Sequence, residues 1–487
     1  MDTIVSKDEL TFKDIEEAIY RYHCKLAVKE TQEILKAIDD LLMARRDRSV
    51  YRHKGLKEDH ITCIYGDVPY KRVVYETKDE EGHKHYVYLL NEALKMDMIG
   101  SMSMSTVEAI VDATTKLSFR NTAKELGKTT NLGISHQTAW NVTQKFGEKL
   151  EAEEAALVRD YERDAIEGKK EVPVLFEEAD GIYIHLQGKD RPKGKKGKKG
   201  REMKVSTAYE GWDEKGALAG KVMSVGFEDG KTFQKLREAM IKKVYDTDAV
   251  KLRVLNGDGA EWIKNCEDPG TEFQLDRFHV YKKITETIKD RKMQSRIREL
   301  YDGCKIEELL EAVQIYADSI ATDDPKDKGE KKALELLKYL NDNKEWLRPY
   351  KERGIKVPDS PEGIRYKNLG TQENQNCSNI TLRMKHRKCS WSISGGNHMG
   401  KILARIANRT IWEDIRHYRD AIVESDKAPI VWEILSAAQA PTYDGAGNKT
   451  GNIAEGHIVL KGSGMTASRR AFLKIFDNRT ATELIYR

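Results

Sequence analysis

The chain has 487 residues, with 84 Lys and Arg against 80 Asp and Glu, 39% hydrophobic residues and 34% charged ones. At roughly 150 residues per domain this is room for about three units, and its 21 Tyr, 7 Trp and 10 Phe are too many aromatics for a solvated, disordered chain. A net charge of +4 is small for the size, so any affinity for nucleic acid has to come from local clusters of charge. No stretch approaches the ~20 consecutive apolar residues of a membrane span, and the first residues, MDTIVSKDELTFKDIEEAIYR, are acidic and amphipathic with no apolar signal core. A soluble, cytoplasmic protein is expected. Cys24, Cys63, Cys266, Cys304, Cys377 and Cys389 form no CxxC pair, so reduced thiols are expected in place of a zinc ribbon or a disulfide framework.

Residues 1–55 read as helical, because Ile15, Ala18, Ile19, Ile34, Leu35, Ile38, Leu41 and Leu42 recur at three- and four-residue spacing. Residues 56–95 change period, with β-branched and aromatic residues alternating on both sides of the charged turn KDEEGHK, which predicts a β-hairpin. Residues 96–150 return to helices. There LSFRNTAKEL, a glycine-containing turn and ISHQTAWNVTQKFG have helix-turn-helix form, with Ser135 as the cap of the second helix. Five basic residues (Lys116, Arg120, Lys124, Lys128, Lys145) face one acid, Glu125, between Thr115 and Gly147. Arg120 and Lys124 suit phosphates, and Gln137, Asn141 and Gln144 suit base edges. The competing reading is an ordinary helical hairpin.

After a charged helix or linker, residues 171–284 carry the order of a mixed α/β layer: three adjoining strands, a helix, then two strands each followed by a helix. Residues 285–362 are helical throughout and read as an insertion. Residues 363–425 supply the last helices of the α/β domain, and 426–487 form a Gly/Asn-rich tail expected to be loop.

Two aspartates stand out. Asp180 sits where an apolar strand meets Gly181, and Asp258 sits in LNGDGAEW between strand and helix, with glycine on both sides allowing close approach of an ion or phosphate. Carboxylates at the ends of strands in one sheet suit Mg²⁺, a hard ion that prefers oxygen and keeps several waters. These residues resemble the ribonuclease-H-like DDE transposases of bacterial insertion sequences, most closely the ISLre-type family. ADGIYIHLQ followed by KVSTAYEGW is similar to that family's first catalytic strand and the next one, LNGDGAEWI to its second catalytic block, and FQLDRFHVYKK to the Asp-x-x-His block, here Asp276 and His279. The likeness runs from GDVPYKRVVY to ASRRAFL, most of the chain.

The resemblance implies a third acid on a helix after the insertion. Glu373 in GTQENQNCSNITLRMKHRKCSWS fits, with Glu362 and Glu413 as competitors. On a regular helix Arg383 and Arg387 fall about 80° and 40° from Glu373, in one quadrant. The implied chemistry is a two-metal phosphodiester displacement. Two Mg²⁺ about 4 Å apart, with Mn²⁺ able to substitute, would be bridged by Asp180 and flanked by Asp258 and Glu373. His279 would orient a phosphate or the nucleophile, or act as a structural hydrogen-bonding group.

Double-stranded DNA is the expected partner, met by a homo-oligomer that pairs two element ends. Lys189 to Arg201 packs eight Lys and Arg into thirteen residues, among them Lys193, Lys195, Lys196, Lys198, Lys199 and Arg201, with Asp190 the only acid. From Asn374 to Trp412 there are seven Lys and Arg, including Arg383 and Arg387, and no acid. A Walker motif, GxGxxG and HExxH are absent, which argues against nucleotide cofactors and a catalytic zinc. Two other functions stay open: a DNA-binding protein that has lost catalysis, and a metal-dependent nuclease without strand transfer.

Overall fold

A computed structural model describes residues 11–411 apart from 95, 97, 193–199, 265–269, 322–328 and 387–388. The expected tail, 426–487, and the end of the expected core, 412–425, lie outside the described residues. Helix α1 (Phe12–Arg45) starts with a capping box, in which the Asp14 N–H donates to Thr11 Oγ1 and the Thr11 N–H to Asp14 Oδ2. It packs on a three-stranded meander of β1 (Arg52–Cys63), β2 (Gly66–Lys78) and β3 (Lys84–Val87). Leu35 and Ile38 of the helix meet Ile61, Cys63, Val68, Tyr70 and Leu90.

The sequence predicted one hairpin here and the fold contains two. The charged turn KDEEGHK does join β2 to β3, but β1 precedes them, closing on β2 at Cys63 and Gly66. RHKGLKEDH, most of β1, is exposed on both faces, so it carries no apolar alternation to betray a strand.

The next helices are α2 (Leu89–Ala93), α3 (Met104–Lys116), α4 (Phe119–Thr129) and α5 (His136–Glu162). Ser135 caps α5, accepting the Thr138 N–H at 3.0 Å, as its position predicted. The helix-turn-helix segment is not a separate body, however. Among the described residues, 11–109 and 123–134 form one compact unit, and 110–122 and 135–411 form the other. The stretch read as a charged helix or linker is helical in its first part, as the continuation of α5 to Glu162, and Val142, Phe146, Leu150 and Glu154 bury one face of that helix in the second unit.

That second unit holds a five-stranded sheet. Three strands in sequence, β4 (Val174–His185), β5 (Gly200–Tyr209) and β8 (Val222–Gly226), pair antiparallel. A small ribbon of β6 (Gly211–Trp212) and β7 (Leu218–Ala219) interrupts them. On the other side of β4, β9 (Leu252–Gly257) and β10 (Thr271–Leu275) add parallel, giving the order β10-β9-β4-β5-β8. This mixed sheet matches the predicted order of strands and helices. β4 is buried along nearly its whole length, as a central strand covered on both faces must be.

Helix α6 (Gly230–Lys242) covers one face, packing Leu236 and Met240 on Leu175 and Ala208. Helix α14 (Ile393–Ala407) covers the other, packing Met399 and Leu403 on Ile182, Ile184, Met203 and Val225. Between β9 and β10 lies the short α7 (Glu261–Lys264), and α8 (Arg277–Thr287) follows β10. The predicted helical insertion is then α9 (Arg291–Asp302), α10 (Ile306–Ser319) and α11 (Gly329–Asp342), sharing one apolar core with Leu255, Leu275, Val280 and Ile284.

Buried polar pairs lock α5 to α14. Lys401 Nζ donates to Glu154 at 2.6 Å and to Glu228 at 2.9 Å, while the ring nitrogens of His398 contact Gln144 and Glu151. The helices touch at Gly147, where a Cβ would stand 2.2 Å from His398 Cβ. Gly147→Ala is therefore expected to cost about 1–3 kcal/mol or more, read as a lower urea midpoint, because two backbones have to part to admit one methyl.

Candidate functional site

The registers of the parallel strands bring three aspartates to one level. Ala179 of β4 lies opposite Gly257 of β9, and Gly257 lies opposite Leu275 of β10. The next residues are Asp180, Asp258 and Asp276, side by side at the carboxyl ends of three adjacent strands, where open α/β sheets place their ligands. The Asp276 N–H donates to the Gly257 carbonyl at 2.8 Å, extending the ladder by one step.

Each aspartate is held differently. Asp180 is 7% exposed, accepts the Gly181 N–H at 2.8 Å on Oδ1 and accepts Asn376 Nδ2 at 2.8 Å on Oδ2. Asp258 folds over its own turn, accepting the Ala260 N–H at 2.8 Å, and the turn relies on Gly259 at φ 90°. Asp276 is the N-cap of α8, accepting the Phe278 N–H at 3.0 Å. That start puts His279 over the row, with Nε2 3.6 Å from Asp180 Oδ1 and 3.9 Å from Asp276 Oδ2, ion-pair distances for a protonated ring.

A second polar row lies beneath the first. Glu178, Asn256 and Gln274 are opposite one another on β4, β9 and β10, all buried, with Asn256 Nδ2 donating to Glu178 and Gln274 Nε2 to Asn256 Oδ1. Glu178 also receives Tyr209 Oη at 2.6 Å, Thr371 Oγ1 at 2.8 Å, and the backbone N–H groups of Gly370, Thr371 and Gln372. This carboxylate clamps the start of α12 (Gln372–Gln375) to the central strand. Glu373 is in that turn, and one turn later Asn376 reaches Asp180 while taking Gln372 Nε2 at 2.8 Å.

Electrostatics ties the predicted acids together. Burial pushes the Asp180 carboxyl up to about 6; His279 and the Gly181 N–H oppose the rise, and the charges of Asp258 and Glu373 add to it. Burial likewise raises Asp276 above the usual carboxylate range. Because the folded state disfavours ionised Asp180, its carboxylate costs stability above about pH 6, and the cost fades as pH falls towards about 4. Asp180→Asn is thus expected to stabilise the fold by up to about 3 kcal/mol near pH 8 and by little near pH 4. Thermal melts of both proteins across that range check this, and an equal difference at both ends contradicts it.

Of the residues chosen from sequence, Asp180 and His279 therefore lie within ion-pair distance, and Asp258 and Glu373 lie near enough for their charges to act on Asp180. Glu178, Asn256, Gln274 and Asn376 were not anticipated; the acids in the apolar run VLFEEAD were the available signal for the first. Among the competitors for the third acid, Glu362 is exposed in a loop and Glu413 lies outside the described residues.

The expected basic helix after Glu373 is not regular. α12 gives way to a π-helical segment (Asn376–Thr381) and a short α13 (Leu382–Met384), and i→i+5 bonding shifts the phase on which the Arg383 alignment depended. Arg383 is half-buried, its Nε donating to the Thr114 carbonyl at 2.6 Å and its guanidinium resting on Trp391 and Phe119. Arg387, Lys193, Lys195, Lys196, Lys198 and Lys199 lie outside the described residues. Arg201 is exposed on β5 and donates to the Phe227 carbonyl at 2.9 Å. Arg120 and Lys124 are exposed on α4; Gln137 and Asn141 are exposed one turn apart on α5, bonded to each other at 3.0 Å. No described helix is long and apolar enough to cross a membrane.

No group of three or more His, Cys, Asp or Glu among the described residues is gathered tightly enough to hold a metal ion unaided. The donor chemistry nonetheless fits a hard divalent cation. Asp258 and Glu373 crowd negative charge on Asp180, which a cation would relieve, and Mg²⁺ takes its remaining ligands from water and substrate phosphates.

A sequence profile of an uncharacterised protein family, UPF0236, matches residues 5–421. A UPF0236 protein of Caldanaerobacter subterraneus subsp. tengcongensis is 25% identical over 395 residues, 78% of this chain and 75% of that protein. A second from the same organism, 24% identical over 395 residues (78% and 74%), carries eleven locus designations in its name. A UPF0236 protein of Streptococcus gallolyticus, described as lying in the vanSb 3′ region, is 26% identical over 367 residues, 71% of each chain.

Proposed function

The chain belongs to the uncharacterised protein family UPF0236, and from the carboxylates at the ends of its parallel strands we propose that it is the DNA transposase of an insertion sequence, with a ribonuclease-H-like core of the ISLre type. The observation that carries this reading is the level placement of Asp180 and Asp258 on neighbouring strands, with the charge of Glu373 felt at Asp180. The sheet order, the helical insertion between His279 and Glu373, and the acid-free basic stretch after Glu373 support it. So does a relative named for eleven loci, since many copies in one genome are what a self-copying element leaves.

Asp180, Asp258 and Glu373 are the residues that would hold Mg²⁺ or Mn²⁺. The bound ion would supply activation of a water or 3′-hydroxyl and neutralise charge on the phosphodiester oxygens. Asn376 fixes the Asp180 carboxylate through Oδ2. His279 Nε2, facing Asp180 Oδ1, is placed to orient a phosphate oxygen or the attacking hydroxyl. The exposed Arg120, Lys124, Gln137 and Asn141 would meet DNA, and a dimer would pair two element ends. Hydrolysis at each end breaks one phosphodiester bond and frees a 3′-hydroxyl; attack of that hydroxyl on target DNA then forms one phosphodiester bond as it breaks another, the target's own 3′-hydroxyl leaving, so the joining step needs no nucleotide cofactor.

The test is a joining assay with duplexes carrying the ends that flank the gene, a supercoiled target and Mg²⁺ or Mn²⁺. Ends covalently joined to target are expected. Cuts without joints would identify a nuclease, and bound but uncut ends would identify a DNA-binding protein without catalysis.

A further inference from the structure

Lys221, in the turn between β7 and β8, is half-buried and faces no carboxylate among the described residues. Among the described residues its Nζ donates one hydrogen bond, of 3.2 Å, to Gln375 Oε1, on the turn that carries Glu373 and leads directly to Asn376. Its other neighbour is a cation. Asn408, at the end of α14, accepts the Met223 N–H at 2.6 Å and donates to the Met223 carbonyl at 2.9 Å, which ties that helix end to the start of β8. Arg409 follows in a left-handed conformation, φ 62°, unusual for a side-chain-bearing residue, and is exposed.

Both burial and the nearby guanidinium of Arg409 oppose the charge on Lys221. The paired hydrogen bonds hold Asn408, the neighbour of Arg409, against Met223, two residues from Lys221, and a lysine with a neutral amide for a partner and a guanidinium nearby is an arrangement that an anion would complete. An ammonium has three donors, and only one is engaged by Gln375.

We propose that Lys221 and Arg409 together hold one backbone phosphate of DNA, beside the turn that bears Glu373. The identity of the polyanion rests on the transposase reading; the cationic pair itself does not. The site binds phosphate oxygen without reading sequence, and it fixes the strand next to the acidic row.

The test uses the full chain and a fluorescein-labelled duplex carrying the flanking ends, with binding followed by anisotropy over a series of salt concentrations. The Lys221→Gln/Arg409→Gln variant is expected to bind about tenfold more weakly at 0.1 M salt, with a log–log salt slope shallower by about 0.9, the value for one lost phosphate contact. An unchanged affinity and slope overturns the proposal, as does a wild type that does not bind DNA. Lys221→Met guards against a folding artefact: removing one of two like charges is expected to leave the melting temperature equal or higher, and a large fall would show that Lys221 is a structural residue. Inorganic phosphate that stabilises wild type but not the double variant, with no change in DNA binding, reassigns the site to free phosphate and overturns the DNA assignment. Wild-type cleavage is read separately, so loss of the slope difference in a cleaving enzyme sinks only the phosphate site. A slope difference in an enzyme that never cleaves sinks only the transposase reading.

Discussion

Asp258→Asn is expected to reduce metal-dependent cleavage and joining of element ends by at least about 10³-fold, while affinity for the same DNA changes by less than about threefold. A thousandfold loss is about 4 kcal/mol of transition-state stabilisation, within what a carboxylate that holds a catalytic cation supplies. Among the described residues the side chain bonds within its own turn, to the Ala260 N–H, and an amide oxygen accepts that bond equally well, so the fold should survive. Parallel cleavage and anisotropy measurements decide it. Equal loss of binding and cleavage would make Asp258 a DNA contact, and retained cleavage would remove it from the chemistry.

The second large effect belongs to Glu178. Its carboxylate accepts from Tyr209, Asn256, the Thr371 hydroxyl and three successive backbone N–H groups, with no exposed surface. Glu178→Ala strands all of these donors in the interior, and a loss of about 3–5 kcal/mol in urea denaturation is expected. Glu178→Gln keeps the volume but turns an amide N–H₂ towards backbone donors. A loss of about 2–3 kcal/mol is expected, with cleavage reduced further than the unfolded fraction explains, because α12 no longer holds Glu373 and Asn376 against Asp180. Full activity in a folded Glu178→Gln protein would show that the clamp does not position the acids.

What the sequence disclosed, and what it withheld, follows from how far apart the interacting residues lie. Asp180 and Asp258 were legible because each marks an apolar strand running into glycine, a local pattern. The order of strands and helices was legible for the same reason. The Glu178 clamp was not, since its partners at Gly370 to Gln372 are nearly two hundred residues away and mostly backbone amides, which carry no side-chain signature. The strand β1 was hidden by its charge, and the π-helical segment by the lack of any residue pattern that distinguishes i→i+5 from i→i+4 bonding. The polar, exposed start of the second helix of the helix-turn-helix, with Gln137 and Asn141, was visible in the sequence, whereas the partners of its buried half are the distant Asn397, His398 and Lys401.

The most direct test of the acidic row as a cation centre is a Mn²⁺ titration followed by electron paramagnetic resonance, with wild type, Asp180→Asn, Asp258→Asn and Glu373→Gln each saturated with uncleavable end DNA. A bound Mn²⁺ population is expected in wild type, lost in both aspartate variants and weakened in Glu373→Gln. Mn²⁺ bound equally by all four proteins, or by none of them, would contradict it.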